Sequence, residues 1–238
     1  QSDLEGPVNI GGTEYVTVAE LAQTVIDVSG KKIEIEYVDG VLYVSGNSGY
    51  LCRSTDLGET WTQLQYWPDL FHGIYGMKWF DALNGVFCGE SGTSGNKDAI
   101  WTTTDGGETL NLVWSEVLSK QLNTIAFAPG NPLVGVIAGD DNTFLYTTDG
   151  GVNWTPGAED ILDAADDLEK VVMTTDLEGW AVGDDGTICT TTDAGVNWTM
   201  LAPWTGVDLQ DVLFSYPAFG WIVGDLSLIH ISEPTRPY

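Results

Sequence analysis

A four-fold internal repeat restricts the fold of this chain more than any other feature. Four octets, STDLGETW (54 to 61), TTDGGETL (103 to 110), TTDGGVNW (147 to 154) and TTDAGVNW (191 to 198), share the pattern Ser/Thr-x-Asp-x-Gly-x-x-Trp, with Leu110 replacing Trp in the second. Their aspartates, Asp56, Asp105, Asp149 and Asp193, lie 49, 44 and 44 residues apart. A recurring unit of roughly 40 to 50 residues has the size of one four-stranded propeller blade. Each octet opens on Ser54, Thr103, Thr147 or Thr191 as part of a structural box, in which the Asp carboxylate is suited to accept backbone N–H groups across a turn. Gly58, Gly107, Gly151 and Gly195 supply a positive φ, and Trp61, Trp154 and Trp198 fill the space between neighbouring sheets. A Ca²⁺ loop would need several oxygen ligands at alternating positions. Each octet offers one carboxylate, or two where Glu59 and Glu108 add a second, so the octets read as structural turns, and neither a metal nor a cofactor is assigned.

The flanks keep the same phase. VLYVSG (41 to 46), GVFCGE (85 to 90), GVIAGD (135 to 140) and WAVGDDG (180 to 186) precede the octets, and a fifth copy, WIVGD (221 to 225), has no octet after it. Further upstream stand β-rich runs at 74 to 80, 124 to 130, 170 to 176 and 211 to 217. Strand, turn, strand ending in Gly-acid, strand, Asp-x-Gly turn and short strand add up to one blade per module. Cys52 and Cys189 sit four residues before their octet Asp, where the other copies carry Trp101 and Leu145, and Cys88 matches Ala138, Val182 and Val223. In this register all three cysteines are expected to behave as small buried apolar residues.

Charge excludes whole function classes. The 238 residues carry 35 Asp plus Glu against 8 Lys plus Arg, net −27. Such a surface repels phosphate backbones and anionic lipid, and no apolar run is long enough to span a bilayer, so nucleic acid and membrane insertion are not expected. Residues 40–226 alone hold 26 acids and 5 bases, so the acidity belongs to the repeats. The segment from Glu159 to Glu169 is especially acidic, and Ile161, Ala165, Leu168 and Val172 give it helical spacing, the pattern of a solvated helix face.

The octets resemble the Asp-box, or bacterial neuraminidase repeat, and the module GWAVGDDGTICTTTDAGVNWTML (179 to 201) resembles the photosystem II assembly-factor-like propellers. The resemblance spans about residues 40 to 225 and implies an all-β Asp-box propeller fragment of four blades plus half a fifth. It also implies a non-catalytic, extracytoplasmic scaffold (lumenal, periplasmic or secreted) that holds a protein or glycan ligand. The family's interaction surface is rich in arginine, whereas residues 40 to 225 contain only Arg53, Lys78, Lys97, Lys120 and Lys170.

The two ends read differently. Residues 1–39 form a short helix-strand segment, with a capping box at Thr17 to Glu20, helical spacing from Val18 to Ser29, a stop at Gly30 and an alternating strand through Ile33, Ile35 and Tyr37. This stretch resembles the C-terminal tail of an NAD-dependent epimerase or dehydratase, without the Gly-rich loop or Tyr-x-x-x-Lys pair that such an enzyme's chemistry uses. Residues 227–238 resemble translated sequencing adapter, so the propeller is bounded at 40–226.

Charge geometry separates the enzymatic readings. Sialidases hold the substrate carboxylate with three arginines, and this chain has only Arg53 and Arg236. A propeller glycoside hydrolase acting on neutral glycans needs only two carboxylates about 5 to 10 Å apart, which composition permits and which stands as the alternative. For the scaffold reading, Trp67, Trp79 and Trp204 lie outside the octet register and are the candidate ligand contacts. His72 and His230 are not assigned catalytic roles.

Overall fold

The computed structural model describes residues 8–9, 15–16, 33–46, 49–65, 73–91, 98–115, 120–159, 166–201, 206–216, 219–225 and 228–232. Among them the regular structure is β-strand apart from one 3-10 turn at Asp184–Gly186. Strands β1 (Val8–Asn9) and β2 (Tyr15–Val16) form a small antiparallel pair. The rest falls into five sheets in chain order. Sheet one holds β3 (Ile33–Val38), β4 (Val41–Gly46), β5 (Tyr50–Ser54) and β6 (Thr62–Gln65). Sheet two holds β7 (Gly73–Trp79), β8 (Gly85–Glu90), β9 (Ala99–Thr103) and β10 (Asn111–Trp114). Sheet three holds β11 (Leu122–Ala128), β12 (Asn131–Gly139), β13 (Thr143–Thr147) and β14 (Thr155–Pro156). After a two-residue strand β15 (Ala158–Glu159), sheet four holds β16 (Leu168–Met173), β17 (Gly179–Gly183), β18 (Ile188–Thr191) and β19 (Asn197–Leu201). Sheet five holds β20 (Leu209–Tyr216), β21 (Phe219–Gly224) and β22 (Leu228–Ser232).

Each strand pairs antiparallel with the next in its sheet, and the first strands β3, β7, β11, β16 and β20 touch in succession. That is the propeller arrangement, with first strands inside and box turns outward. β15 leaves sheet three and adds in parallel to β19, covering the outer edge of sheet four.

Four separate cores lie between the five sheets. Phe87, Ala99 and Trp101 face sheet one, whereas Val86, Cys88 and Ile100, their neighbours in the same strands, face sheet three. In sheet three, Ile137 and Leu145 face back while Val136, Ala138 and Phe144 face forward to sheet four. Val182 and Ile188 face forward again, against Leu209, Val212 and Ile222 of sheet five. The strict alternation along short strands buries both faces of the inner sheets.

Two recurring glycines lock this geometry. A Cβ at Gly89, Gly139, Gly183 or Gly224, at the end of the second strand, would fall 1.9 to 2.3 Å from the carbonyl oxygen of Gly73, Gln121, Asp167 or Asp208. At the start of the second strand, Gly85, Gly135, Gly179 and Gly220 lie under Trp79, Phe127, Met173 and Phe214, their cross-strand partners. The large side chain covers the bare backbone, which sets the register of the first pair in each blade.

The structure differs from the sequence-based reading at three places. The expected N-terminal strand through Ile33, Ile35 and Tyr37 is not separate from the propeller: β3 is the first strand of sheet one, paired along its length with β4 through the Asp39-Gly40 turn. Its acids reach inward, where Lys78 of β7 donates to Glu36 and Lys170 of β16 stands 3.9 Å from Glu34. Sheet five has a third strand, β22, paired with β21, so the blade pattern continues beyond residue 226. The helical spacing through Leu168 and Val172 belongs to strand β16, where a register shift between Leu168 and Lys170 sends Leu168 to the core behind and Val172 to the core ahead. The expected helix from Val18 to Ser29 lies outside the described residues.

Candidate functional site

Antiparallel strands give each blade two ends. One carries the turns between third and fourth strands, where the Asp boxes lie, and the other carries the starts of first strands and the turns between second and third strands.

The four box turns have the same bonding. The hydroxyls of Ser54, Thr103, Thr147 and Thr191 donate to the Oδ1 atoms of Asp56, Asp105, Asp149 and Asp193 at 2.7 to 3.0 Å. The same hydroxyls accept the N–H groups of Gly58, Gly107, Gly151 and Gly195 at 2.8 to 3.1 Å. Across the turn, the backbone N–H groups of Thr60, Thr109, Asn153 and Asn197 donate to Oδ1 at 2.9 Å. Their side chains donate to Oδ2 at 2.5 to 2.7 Å. This last position was missed from sequence, although all four copies carry Thr or Asn, the residues that can donate from a short side chain.

These bonds hold every box carboxylate below its ordinary range. The Thr60 hydroxyl is the main cause for Asp56, brought down to about 2, and the Thr109 backbone N–H is the main cause for Asp105. At Asp149 and Asp193 burial pushes upward and is outweighed by the bonds from Asn153 and Asn197. The box glycines have φ between 86° and 90°, and the residue before each, Leu57, Gly106, Gly150 or Ala194, is also left-handed. Trp61 and Trp154 donate their indole N–H to the carbonyls of Gly58 and Gly151 at 3.1 Å. Trp198 instead stacks on Phe144, with centroids 4.2 Å apart. With both carboxylate oxygens occupied, the box has turn-closing geometry and little capacity left for a ligand.

The candidate ligand contacts divide. Trp67 and Trp204 lie outside the described residues. Trp79 is 2% exposed, stacked on Tyr43 at 3.7 Å and seated over Gly85, so it packs the first inter-sheet core and presents no open surface. Its repeat equivalents are Phe127, Met173 and Phe214, a match visible only from the cross-strand glycine. Cys88 and Cys189 are buried, and burial pushes the Cys189 thiol up to about 12. Cys52 is only half-buried.

The opposite end is strongly acidic. Asp140, Asp141, Asp184, Asp185 and Asp225 lie in or beside turns after second strands, while Asp166, Asp167, Glu169 and Asp208 lie at or before the starts of first strands. Two of these acids latch neighbouring blades. Asp167 accepts the N–H of Asp141 at 3.1 Å, and Asp208 accepts the N–H of Asp185 at 3.1 Å. Asp166 accepts the Thr187 hydroxyl at 2.5 Å. The Asp184 carboxyl is pushed up to about 6, by burial first and then by Asp208, Glu169, Asp167 and Asp166. Lys120 brings a positive charge here and donates to the carbonyl of Asp141 at 3.2 Å. Among the described residues no group of three or more His, Cys, Asp or Glu is arranged to hold a metal ion, and no helix is long and apolar enough to cross a membrane.

Comparison with known proteins agrees with this geometry. The family model described as photosynthesis system II assembly factor YCF48 matches residues 109–205. Among solved structures, the GH74 enzyme of Niastella koreensis superposes with a TM-score of 0.61 at 16% identity, covering 83% of this chain and 36% of the enzyme. YCF48 from Cyanidioschyzon merolae gives 0.45 at 13% identity, covering 84% and 82%. YCF48 bound to D1 peptide gives 0.44 at 16% identity, covering 86% and 78%. Comparison with curated proteins finds no match. With five successive sheets, four bonded boxes, the family-model match over residues 109–205 and the superposition on the GH74 propeller, the chain is an Asp-box β-propeller resembling the photosystem II assembly factor.

Proposed function

We propose that this propeller is a non-catalytic, extracytoplasmic binding scaffold whose acidic end receives a basic segment of a protein partner. The observation that carries the reading is the accumulation of carboxylates around Asp184, where Asp208, Glu169, Asp167 and Asp166 add to burial, the larger cause, in lifting its carboxyl to about 6. A bound Lys- or Arg-rich segment relieves that repulsion, which gives fast, salt-sensitive association. The assembly-factor match over residues 109–205 supports a protein ligand. The nature of the charge differs from the arginine-rich surface that the resemblance implies, so the partner class is read from this chain's own residues.

The same cluster favours a second reading. A carboxyl raised to about 6 among further carboxyl groups is the kind of group a glycoside hydrolase uses as a general acid. One series separates the two. Fluorescein-labelled Lys-rich and Glu-rich peptides of equal length are titrated by anisotropy at 50 and 300 mM salt, and neutral β-glucans are assayed for reducing ends. The scaffold reading expects Lys-peptide binding that weakens at least tenfold with salt, no Glu-peptide binding and no hydrolysis. Sustained glucan hydrolysis abolished by Asp184→Asn would replace it with the enzyme reading.

A further inference from the structure

The passage from first to second strand repeats one side chain that the turn itself does not use. Two residues before the second-strand glycines Gly85, Gly135 and Gly179 stand Leu83, Leu133 and Leu177, which are 56%, 54% and 56% exposed. Each is fixed at both of its backbone groups. The N–H is capped by the side chain two residues earlier: Asp81 at 2.7 Å, Asn131 at 3.1 Å and Thr175 at 3.2 Å. The carbonyl accepts an N–H from the box of the same blade, that of Gly106, Gly150 or Ala194, at 2.9 Å. These bonds work with any side chain at the capped position, so the turn does not call for leucine. They hold an apolar side chain out from the surface three times over, with its backbone already ordered before a ligand arrives.

The three turns adjoin. Phe80, entering the turn of sheet two, packs edge-on against Phe127 of sheet three with ring centroids 4.9 Å apart. A Cβ at Gly130, in the turn of sheet three, would stand 3.5 Å from the Asp176 carboxylate in the turn of sheet four. The leucines therefore form a row across the box end, one per blade, at the opposite end from the carboxylates around Asp184. Acids border the row. Asp81, Asp176 and Glu178 lie in the same turns, and Asp105, Asp149 and Asp193 lie in the boxes that hold the leucine carbonyls. Arg53, which reaches box two, is engaged by Glu108 at 3.2 Å.

We propose that this row docks an amphipathic helix of a partner protein, with apolar residues at heptad spacing and Lys or Arg on either side of them. Spacing selects a helix over a strand. Packed sheets stand about 10 Å apart, and seven residues of α-helix advance about 10.5 Å while returning to nearly the same face. An extended strand covers about 10 Å in three residues, which turns successive apolar anchors to opposite faces. The bordering carboxylates select the cationic flanks, as complementary charge does at protein interfaces. Apolar side chains exposed in register and rimmed by charge are the form that such a docking surface takes. This surface is separate from the acidic end and does not depend on the binding proposed there.

The test uses the full chain and two fluorescein-labelled peptides of three heptads each, built from the same numbers of Leu and Lys. One has its leucines at positions a and d, and the other has them scattered round the helix. Their charge is equal, so any binding at the acidic end contributes equally to both. Anisotropy titrations at physiological salt should show the heptad peptide bound at least about tenfold more tightly. The triple variant Leu83→Ser, Leu133→Ser and Leu177→Ser should abolish that difference with an unchanged far-ultraviolet spectrum, since all three side chains are exposed. Asp184→Asn, at the other end, should leave the difference within about twofold. On the wild type, a photoreactive leucine at the central a position of the heptad peptide should crosslink within residues 129–134, the turn of sheet three. Equal binding of the two peptides, a preference that persists in the triple variant, or crosslinks confined to the acidic end would each overturn the proposal.

Discussion

Gly183→Ala tests whether the recurring second-strand glycine is required by close backbone approach. A Cβ at position 183 would lie 2.0 Å from the Asp167 carbonyl oxygen, whereas real Cβ contacts do not fall under 3.0 Å, so two backbones must part by at least about 1 Å. Neither side can rotate away. Gly183 is paired with Leu168 at the end of β17, and the Asp167 carbonyl accepts the N–H of Asp184 at 3.0 Å. Forced overpacking costs about 1–3 kcal/mol, and loss of the backbone bond adds about 1 kcal/mol. A destabilisation of about 2–4 kcal/mol at this chain length lowers Tm by about 4–16 °C. Gly130→Ala is the control: its Cβ would meet only the Asp176 carboxylate, at 3.5 Å, so it should leave Tm within about 2 °C or raise it. Both are read by tryptophan fluorescence and circular dichroism melts at one scan rate. Equal melting of Gly183→Ala and wild type would refute the close-approach account.

Stability should have a maximum in mild acid. Asp184, raised to about 6, makes folding less favourable as pH rises through 6, while the box aspartates, Asp56 at about 2 among them, lose their contribution as pH falls from about 4 through 2; Asp184→Asn should flatten only the upper limb of a Tm-versus-pH curve. Leu57, left-handed and exposed where other boxes have Gly106 and Gly150, should gain about 0.5–1 kcal/mol on Leu57→Gly in urea unfolding. Lys78→Met removes the partner of Glu36, whose carboxyl burial already pushes up, and should cost about 1–2 kcal/mol at pH 7 and less near pH 4, where Glu36 takes up a proton; no effect would mean that β3 is not seated against the inner strands.

The blade count, the box chemistry and the alternation were legible because each leaves a fixed residue at a fixed period. The N-terminal limit was not: β3 has no box and no Gly-acid end, and its membership rests on pairing with β4 and on ion pairs 42 and 136 residues away in sequence, from Glu36 to Lys78 and from Glu34 to Lys170. Trp79 was misassigned because counting from the box does not show what covers Gly85; only the cross-strand register does. Leu168 and Val172 mimicked a helix because a bulge changes the face parity of β16, and periodicity arguments assume an unbroken strand. The acidic end was partly legible, since its acids were evident in the sequence, but the latches through Asp167 and Asp208 depend on loops from different blades meeting.

The latches account for the odd charge. Propeller turns leave backbone N–H groups pointing outward, and a carboxylate is the acceptor that satisfies several at once: Asp81 takes the N–H groups of Leu83 and Asn84, Asp39 that of Ala82, and each box Asp that of the residue four further on. The bases are drawn elsewhere. Of the five between residues 40 and 226, Lys78 and Lys170 face the acids of β3, Arg53 pairs with Glu108 at 3.2 Å, Lys120 caps a turn carbonyl, and Lys97 lies outside the described residues. Acids thus collect at turns, on the surface, while the bases among the described residues of this stretch are engaged within the molecule. A partner docking on the acidic end must bring its own cations. Binding should therefore lose affinity in proportion to the number of Lys and Arg in the partner segment as salt rises, and a ligand bound with no salt dependence would place the binding surface elsewhere on the propeller.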